Sequence, residues 1–226
     1  MVRLVLFDID GTLIRTSGAG VRAFAEVFRS EFNATDGFEN LKFSGRTDVG
    51  IVREFFAVHG VAFTRENLDR FFTRYVFWLE HILAQSKCEV CEGVTEFIEG
   101  TRSLPGSPLI GLLTGNIRLG AEIKLRRLAL WDYFELGAFA DDHEERDGIA
   151  AIARERGSRV LKRQLEGEEV LVIGDTPLDI RCARAIGAKM LAVATGGATM
   201  DELVAHKPDW AVKNLRHISA KEAIGP

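Results

Sequence analysis

The stretch Leu4-Val5-Leu6-Phe7-Asp8-Ile9-Asp10-Gly11-Thr12 decides how the rest of the chain is read. Its apolar run, ended by polar residues and a glycine, predicts a short strand buried on both faces. Two carboxylates follow at a spacing of two, and residues two apart in an extended chain point to one side. Like charges gathered at the end of an apolar strand repel unless a cation or a shared proton intervenes. A turn after the strand needs only one Asp beside its glycine. The pair therefore points to a reactive site.

The same layout recurs twice. Pro108-Leu109-Ile110-Gly111-Leu112-Leu113 runs into Thr114-Gly115-Asn116, and Val170-Leu171-Val172-Ile173 runs into Gly174-Asp175-Thr176-Pro177-Leu178-Asp179. Further strands are predicted at 134–139, 189–194 and 210–212. Helices are predicted at about 119–130, 147–157 and 178–186, the last stopped by Gly187. Strands alternating with helices imply an α/β fold with a Rossmann-like, doubly wound parallel sheet. Ligands of such sheets bind outside the carboxyl ends of the strands. One edge would then gather Asp8, Asp10, Thr114, Asn116, Asp175 and Asp179.

A helical insert interrupts the alternation after the first strand. Apolar residues recur at helical spacing over 20–32, at Ile51, Val52, Phe55 and Phe56, and from Leu68 to Leu83, with a loop over 37–45 between the first two patterns. Residues 15–88 are read as an all-helical cap domain, and 1–14 with 89–226 as the α/β core. Ser17-Gly18-Ala19-Gly20 is a candidate hinge. The stripe Phe71, Phe72, Tyr75 and Trp78 is assigned to the cap's own core.

Composition excludes several classes. The 226 residues carry a formal net charge of -4, which argues against a nucleic-acid surface. No apolar run is long enough to span a membrane. The first residues enter the strand without a signal-peptide layout, so a soluble cytoplasmic protein is expected. Cys88, Cys91 and Cys182 form no disulfide framework, and Cys88-x-x-Cys91 lacks a second ligand pair for zinc.

Four carboxylates in one crevice need compensation. A hard divalent cation with oxygen ligands suits them, Mg²⁺ being usual where phosphate is the co-ligand. A carboxylate can also attack phosphorus to form an aspartyl phosphate. The order Asp-x-Asp-Gly-Thr, a later Thr after a strand, then Gly-Asp-x-x-x-Asp resembles the haloacid dehalogenase superfamily, specifically its phosphatase branch. The resemblance spans nearly the whole chain, including the helical insert between the first two motifs.

That resemblance implies roles. Asp8 is the expected nucleophile, and Asp10 the general acid and base, with its carbonyl facing the metal. Thr114 is expected to hold the phosphoryl group, with Gly115 and Asn116 extending its loop. Asp175 is an expected metal ligand and Asp179 a second, outer one, although the first turn of a helix would also favour Asp179 there. The metal set is thus Asp8, Asp10, Asp175 and Asp179, with Mg²⁺ as the cofactor and a small phosphorylated metabolite as the partner molecule. Oligomeric state is left open.

The family also requires a Lys or Arg between the second and last clusters, commonly before Pro, and no Lys-Pro occurs there. Candidates are Arg146, Arg154, Arg156, Arg159, Lys162 and Arg163, with Lys124, Arg126 and Arg127 further upstream. Arg146 is chosen. It follows the acidic loop Asp141-Asp142-His143-Glu144-Glu145 and opens a helix, where the dipole disfavours a cation unless an anion holds it. Lys162 is the runner-up.

In the insert, Ser44-Gly45-Arg46-Thr47-Asp48 resembles the caps of phosphoglycolate-phosphatase-like members. Thr47 or Asp48 is the expected N-cap of the next helix. Arg46 either binds a substrate carboxylate or phosphate or pairs with a neighbouring acid. A Mg²⁺-dependent phosphatase is therefore expected, with a sugar-phosphate mutase or a non-enzymatic phosphate-binding member as alternatives. A dehalogenase-like member would lack Asp10. A phosphonate-cleaving one would also lack it and would carry a Schiff-base Lys in the cap, where residues 18–84 hold only Lys42.

Overall fold

The computed structural model describes residues 1–34, 36–37 and 41–225. Six parallel strands form one sheet in the order β5-β4-β1-β6-β7-β8. These are β1 Leu4–Phe7, β4 Leu109–Leu113, β5 Leu136–Ala138, β6 Val170–Gly174, β7 Lys189–Val193 and β8 Trp210–Val212. The chain is an α/β protein of the doubly wound kind, as expected. Two segments too short to show a period, β2 Ile14–Arg15 and β3 Glu89–Val90, pair antiparallel in a separate ribbon. That ribbon lies where the chain enters and leaves the helical insert.

Alternation along the strands distributes the core. Val5 and Phe7 of β1, with Leu171 and Ile173 of β6, join an apolar cluster with Val94, Phe97 and Ile98 of α4 (Val94–Arg102). Ala121 and Leu125 of α5 (Arg118–Arg126) complete that face, with α9 (Ala220–Ile224) beside α4. Leu4 and Leu6 of β1, with Val170 and Val172 of β6, face the other way. There they meet α6 (Arg146–Val160), α7 (Pro177–Ala185) and Leu203 of α8 (Met200–Ala205). Each such side chain taken from water contributes roughly 1.5–3 kcal/mol, which explains why the central strands show no polar alternation.

The insert contains α1 (Ala19–Phe32), α2 (Asp48–Val58) and α3 (Arg65–Gln85). Phe24, Phe28, Phe55, Phe56, Phe71 and Tyr75 fill a third cluster, with Phe72 and Trp78 packed against it. The aromatic stripe is therefore largely packing. Ser17 and Gly18 before α1 have φ of 50° and 74°. Of the loop expected over 37–45, residues 38–40 lie outside the described residues. Among the described residues, no helix is long and apolar enough to cross a membrane.

The helix expected at 119–130 stops at Arg126, followed by tight turns through Ala129, whose φ is 55°. The helix expected from Asp147 starts at Arg146 and runs to Val160. Cys91, in the short connection between β3 and α4, is buried against the sheet face.

Candidate active site

Phe7 of β1 pairs with Leu112 of β4 and with Ile173 of β6. Asp8, Thr114 and Asp175 therefore leave three adjacent strands at nearly one level, at the carboxyl edge of the sheet. Asp8 N–H continues the ladder by donating to Ile173 O (2.9 Å), and Thr114 N–H donates to Ala138 O (3.2 Å). Both anchors fix the side chains above the edge.

Asp8, Asp175 and Asp179 are buried, and one carboxylate oxygen from each lies within 4.8 Å of the others. Burial pushes Asp8 up to about 7; Arg146 opposes this, while Asp179 and Asp10 add to it. Asp175 is raised well above the ordinary carboxylate range by burial, then by Asp179 and Asp8. Three crowded, desolvated carboxylates are a donor set that favours a hard divalent cation. Thr12 Oγ1 donates to Asp175 Oδ1 (2.9 Å), so one oxygen of Asp175 is oriented from the motif that carries Asp8. Residue 196 has to be Gly here: a Cβ on it would lie 1.6 Å from Asp175 Oδ2. The chemistry of this donor set fits Mg²⁺.

Asp179 takes the helix-terminus position that the sequence allowed and also pairs with Arg146. Thr176 is the N-cap of α7, and Asp179 closes the capping box, its Oδ2 accepting from Thr176 N (2.9 Å) and Oγ1 (2.7 Å). Its Oδ1 accepts from Arg146 Nη2. Arg146 is buried at the first position of α6 and also lies 3.5 Å from Asp8 Oδ1. Burial alone would lower its pKa, yet Asp179 and Asp8 raise it above its ordinary value. The helix dipole is overruled by two buried anions. Lys162 lies exposed beyond the other end of α6, roughly 20 Å along the helix axis from Arg146.

Asp8 and Asp10 line one cavity but take different cations. Asp8 meets Arg146 from α6 on one face of the sheet. Asp10 meets Lys124 from α5 on the other: Lys124 Nζ donates to Asp10 Oδ2 (2.6 Å) and Asn116 Oδ1 (2.5 Å). Asn116 Nδ2 donates to the same Asp10 oxygen (2.8 Å) and to Thr114 Oγ1 (2.9 Å). The loop Thr114-Gly115-Asn116 is thus wired to Asp10. Lys124 was one of several upstream cations in the sequence. Its signal was a Lys on the apolar stripe Ile117, Ala121, Leu125 and Leu128.

The insert docks on this loop. Thr47 caps α2, its Oγ1 accepting from Gly50 N (3.1 Å). Asp48 N–H donates to Gly115 O (2.7 Å), and its Oδ2 accepts from Ile117 N (2.8 Å). A Cβ on Gly115 would lie 2.2 Å from Arg46 O, so only glycine permits this approach. The Arg46 guanidinium points to Glu54, Nη1 to Oε2 at 2.5 Å. A cavity of about 550 Å³ remains between the carboxyl edge of the sheet and the insert. Asp8, Asp10, Thr114, Lys124 and Arg146 line its floor, and Phe24, Phe43, Arg46 and Tyr75 its roof.

Residues 5–193 match the family model described as haloacid dehalogenase-like hydrolase. The chain therefore belongs to that family of enzymes. It is 27% identical to the probable phosphatase IndB of Dickeya dadantii, over 96% of this chain and 92% of that protein. Among solved structures, CbbY from Rhodobacter sphaeroides in complex with phosphate superposes with a TM-score of 0.74 at 19% identity, covering 95% of each chain. A haloacid dehalogenase-like hydrolase from Bacteroides fragilis gives 0.73 at 23% identity, covering 96% of this chain and all of that one. These structural likenesses bear on the fold.

Burial of Asp48 gives a pH prediction. Burial pushes its carboxyl up from 3.8 to about 7; Lys124 and the Ile117 N–H pull it back, while Asp10 and Asp141 add to the rise. Between these values the folded state retains a proton that the unfolded chain has released, so this group's contribution to stability falls as pH rises through the window and is flat above it. Asp48→Asn removes that dependence. Urea denaturation at several pH values should show the variant gaining on the wild type from about pH 4 to about pH 7. A gap that stays constant or shrinks contradicts the assignment.

Proposed function

We propose that the chain is a Mg²⁺-dependent phosphatase that hydrolyses a small organic phosphate monoester through an aspartyl phosphate on Asp8. The observation that carries this reading is the buried trio Asp8, Asp175 and Asp179 beside Arg146, at the cavity between the sheet edge and the insert. When bound, Mg²⁺ would be held by Asp8 and Asp175, with the Asp10 carbonyl, and would neutralise phosphate charge. Asp8 attacks phosphorus, and the bond to the leaving oxygen breaks with its electron pair going to that oxygen. Asp10 donates the proton it needs. Thr114, Gly115 and Asn116 hold the phosphoryl oxygens, and Arg146 offsets charge on Asp8 and phosphate. Asp10 then takes a proton from water as the water attacks phosphorus, releasing phosphate and restoring the Asp8 carboxylate.

In this reading residues 15–88 act as a cap that excludes bulk water, and 1–14 with 89–226 form the catalytic core. The ribbon of β2 and β3 at their junction supports that division. The string from Ser44 to Asp48 supports a phosphoglycolate-phosphatase-like cap. An acidic leaving group reaching Arg46 would have to compete with Glu54 for it.

A panel of phosphate monoesters, including phosphoglycolate and a hexose 1-phosphate, tests the reading. Turnover with Mg²⁺ that stops on chelation is expected, as is its loss in Asp8→Asn and a large fall to a residual rate in Asp10→Asn. Activity surviving in Asp8→Asn contradicts the nucleophile. Conversion of the hexose 1-phosphate to its 6-phosphate without monoester hydrolysis favours a mutase.

Arg146 and Lys162 separate cleanly. Arg146→Ala leaves Asp8 and Asp179 buried with less compensation, at about 3–5 kcal/mol in stability, and should lose most of kcat. Lys162→Ala should retain both. The reverse pattern in kinetics and thermal unfolding would move the cationic role.

A further inference from the structure

We infer that Lys124 is a positioning residue for Asp10, holding its carboxylate for proton donation to the leaving oxygen; this rests on the phosphatase reading above. Lys124 has 4% of its side chain exposed, although it belongs to a residue type rarely buried without a partner. Two of its three donors are spent on Asp10 Oδ2 and Asn116 Oδ1. It has no salt-bridge partner besides Asp10 among the described residues. A solvated surface role or a packing role does not require that arrangement.

Asp10 needs the support. Its side chain is 43% exposed, and it lies beside the anionic trio without belonging to it. The hydrogen bonds from Lys124 and Asn116 hold that carboxylate. Lys124 and Asn116 both grip Oδ2, which leaves Oδ1, without a hydrogen-bond partner among the described residues, as the oxygen available to a leaving group. As Asp10 gives up its proton, negative charge grows on a carboxylate already bonded to a buried ammonium. Such preorganised charge is worth most in a site screened from water.

The same ammonium lies against the insert. A Cβ on Gly20 of α1 would be 3.4 Å from Lys124 Nζ and 3.7 Å from the Tyr75 hydroxyl of α3. Asp48 of α2 is close enough for Lys124 to oppose the rise in its pKa. Lys124 therefore adopts its observed posture where α1, α2 and α3 close over the core, which ties the posture of Asp10 to docking of the insert.

The test uses leaving groups of different quality. 4-Nitrophenoxide departs with little help from a proton donor, whereas an alkoxide requires one. Lys124→Met keeps the unbranched stem and removes the charge. In kcat/KM, which reports the steps through loss of the leaving group, the variant should lose about a hundredfold or more on an alkyl phosphate and less than about tenfold on 4-nitrophenyl phosphate. In an Asp10→Asn background, Lys124→Met should cost little further on either ester. Equal losses on both esters, no loss on either, or a full additional loss in the Asp10→Asn background would overturn the inference while leaving the phosphatase reading intact. A wild type that hydrolyses 4-nitrophenyl phosphate and no alkyl ester also overturns it. A wild type inactive on all monoesters overturns the phosphatase reading and the inference together.

Discussion

The contact between Arg146 and the carboxylates of Asp8 and Asp179 is the interaction on which the site depends. A sheet edge that collects carboxylates from β1 and β6 would push itself apart. One buried guanidinium at the start of α6 bridges the two strands' contributions and is in turn locked by them. Asp179 is fixed by the capping box of α7, so the position of Arg146 is set by the start of one helix and the opening of another. The balance is electrostatic and local, and it demands a buried arginine where the helix dipole alone would reject one.

The second carboxylate is handled separately. Asp8 and Asp10 are two residues apart, yet each has its own cation, from helices on opposite faces of the sheet. This separation gives two chemically identical groups different surroundings: one buried and crowded against Asp175 and Asp179, the other half-exposed and held by Lys124 and Asn116. The insert then closes on the loop that carries Thr114, Gly115 and Asn116, through the backbone and side chain of Asp48. Docking of the insert and the wiring of Asp10 thus share the Thr114-Gly115-Asn116 loop.

Much of this was legible in the sequence because it rests on short-range rules. Apolar runs ending in Asp8, Thr114 and Asp175 marked the strands and their reactive edge. Arg146 stood out because a cation opening a helix needs an anion. Lys124 was less visible: it is a cation inside an apolar stripe, and only the fold shows that the stripe passes Asp10. The spacing of two placed both Asp side chains at one cavity but could not show that different helices supply their cations. Gly196 carries no chemistry of its own, and its role is the room it leaves for Asp175. The ribbon strands β2 and β3, two residues each, are too short to show any period.

The central claim is that Asp8 becomes covalently phosphorylated. The direct measurement is acid quenching of the enzyme during turnover, borohydride reduction of any acyl phosphate, and peptide mass spectrometry across residues 1–15. The account predicts reduction to the alcohol at position 8 alone, dependent on both Mg²⁺ and substrate. Reduction at position 10, or turnover with no trapped species at position 8 under conditions where phosphoenzyme breakdown has been slowed by Asp10→Asn, would contradict it.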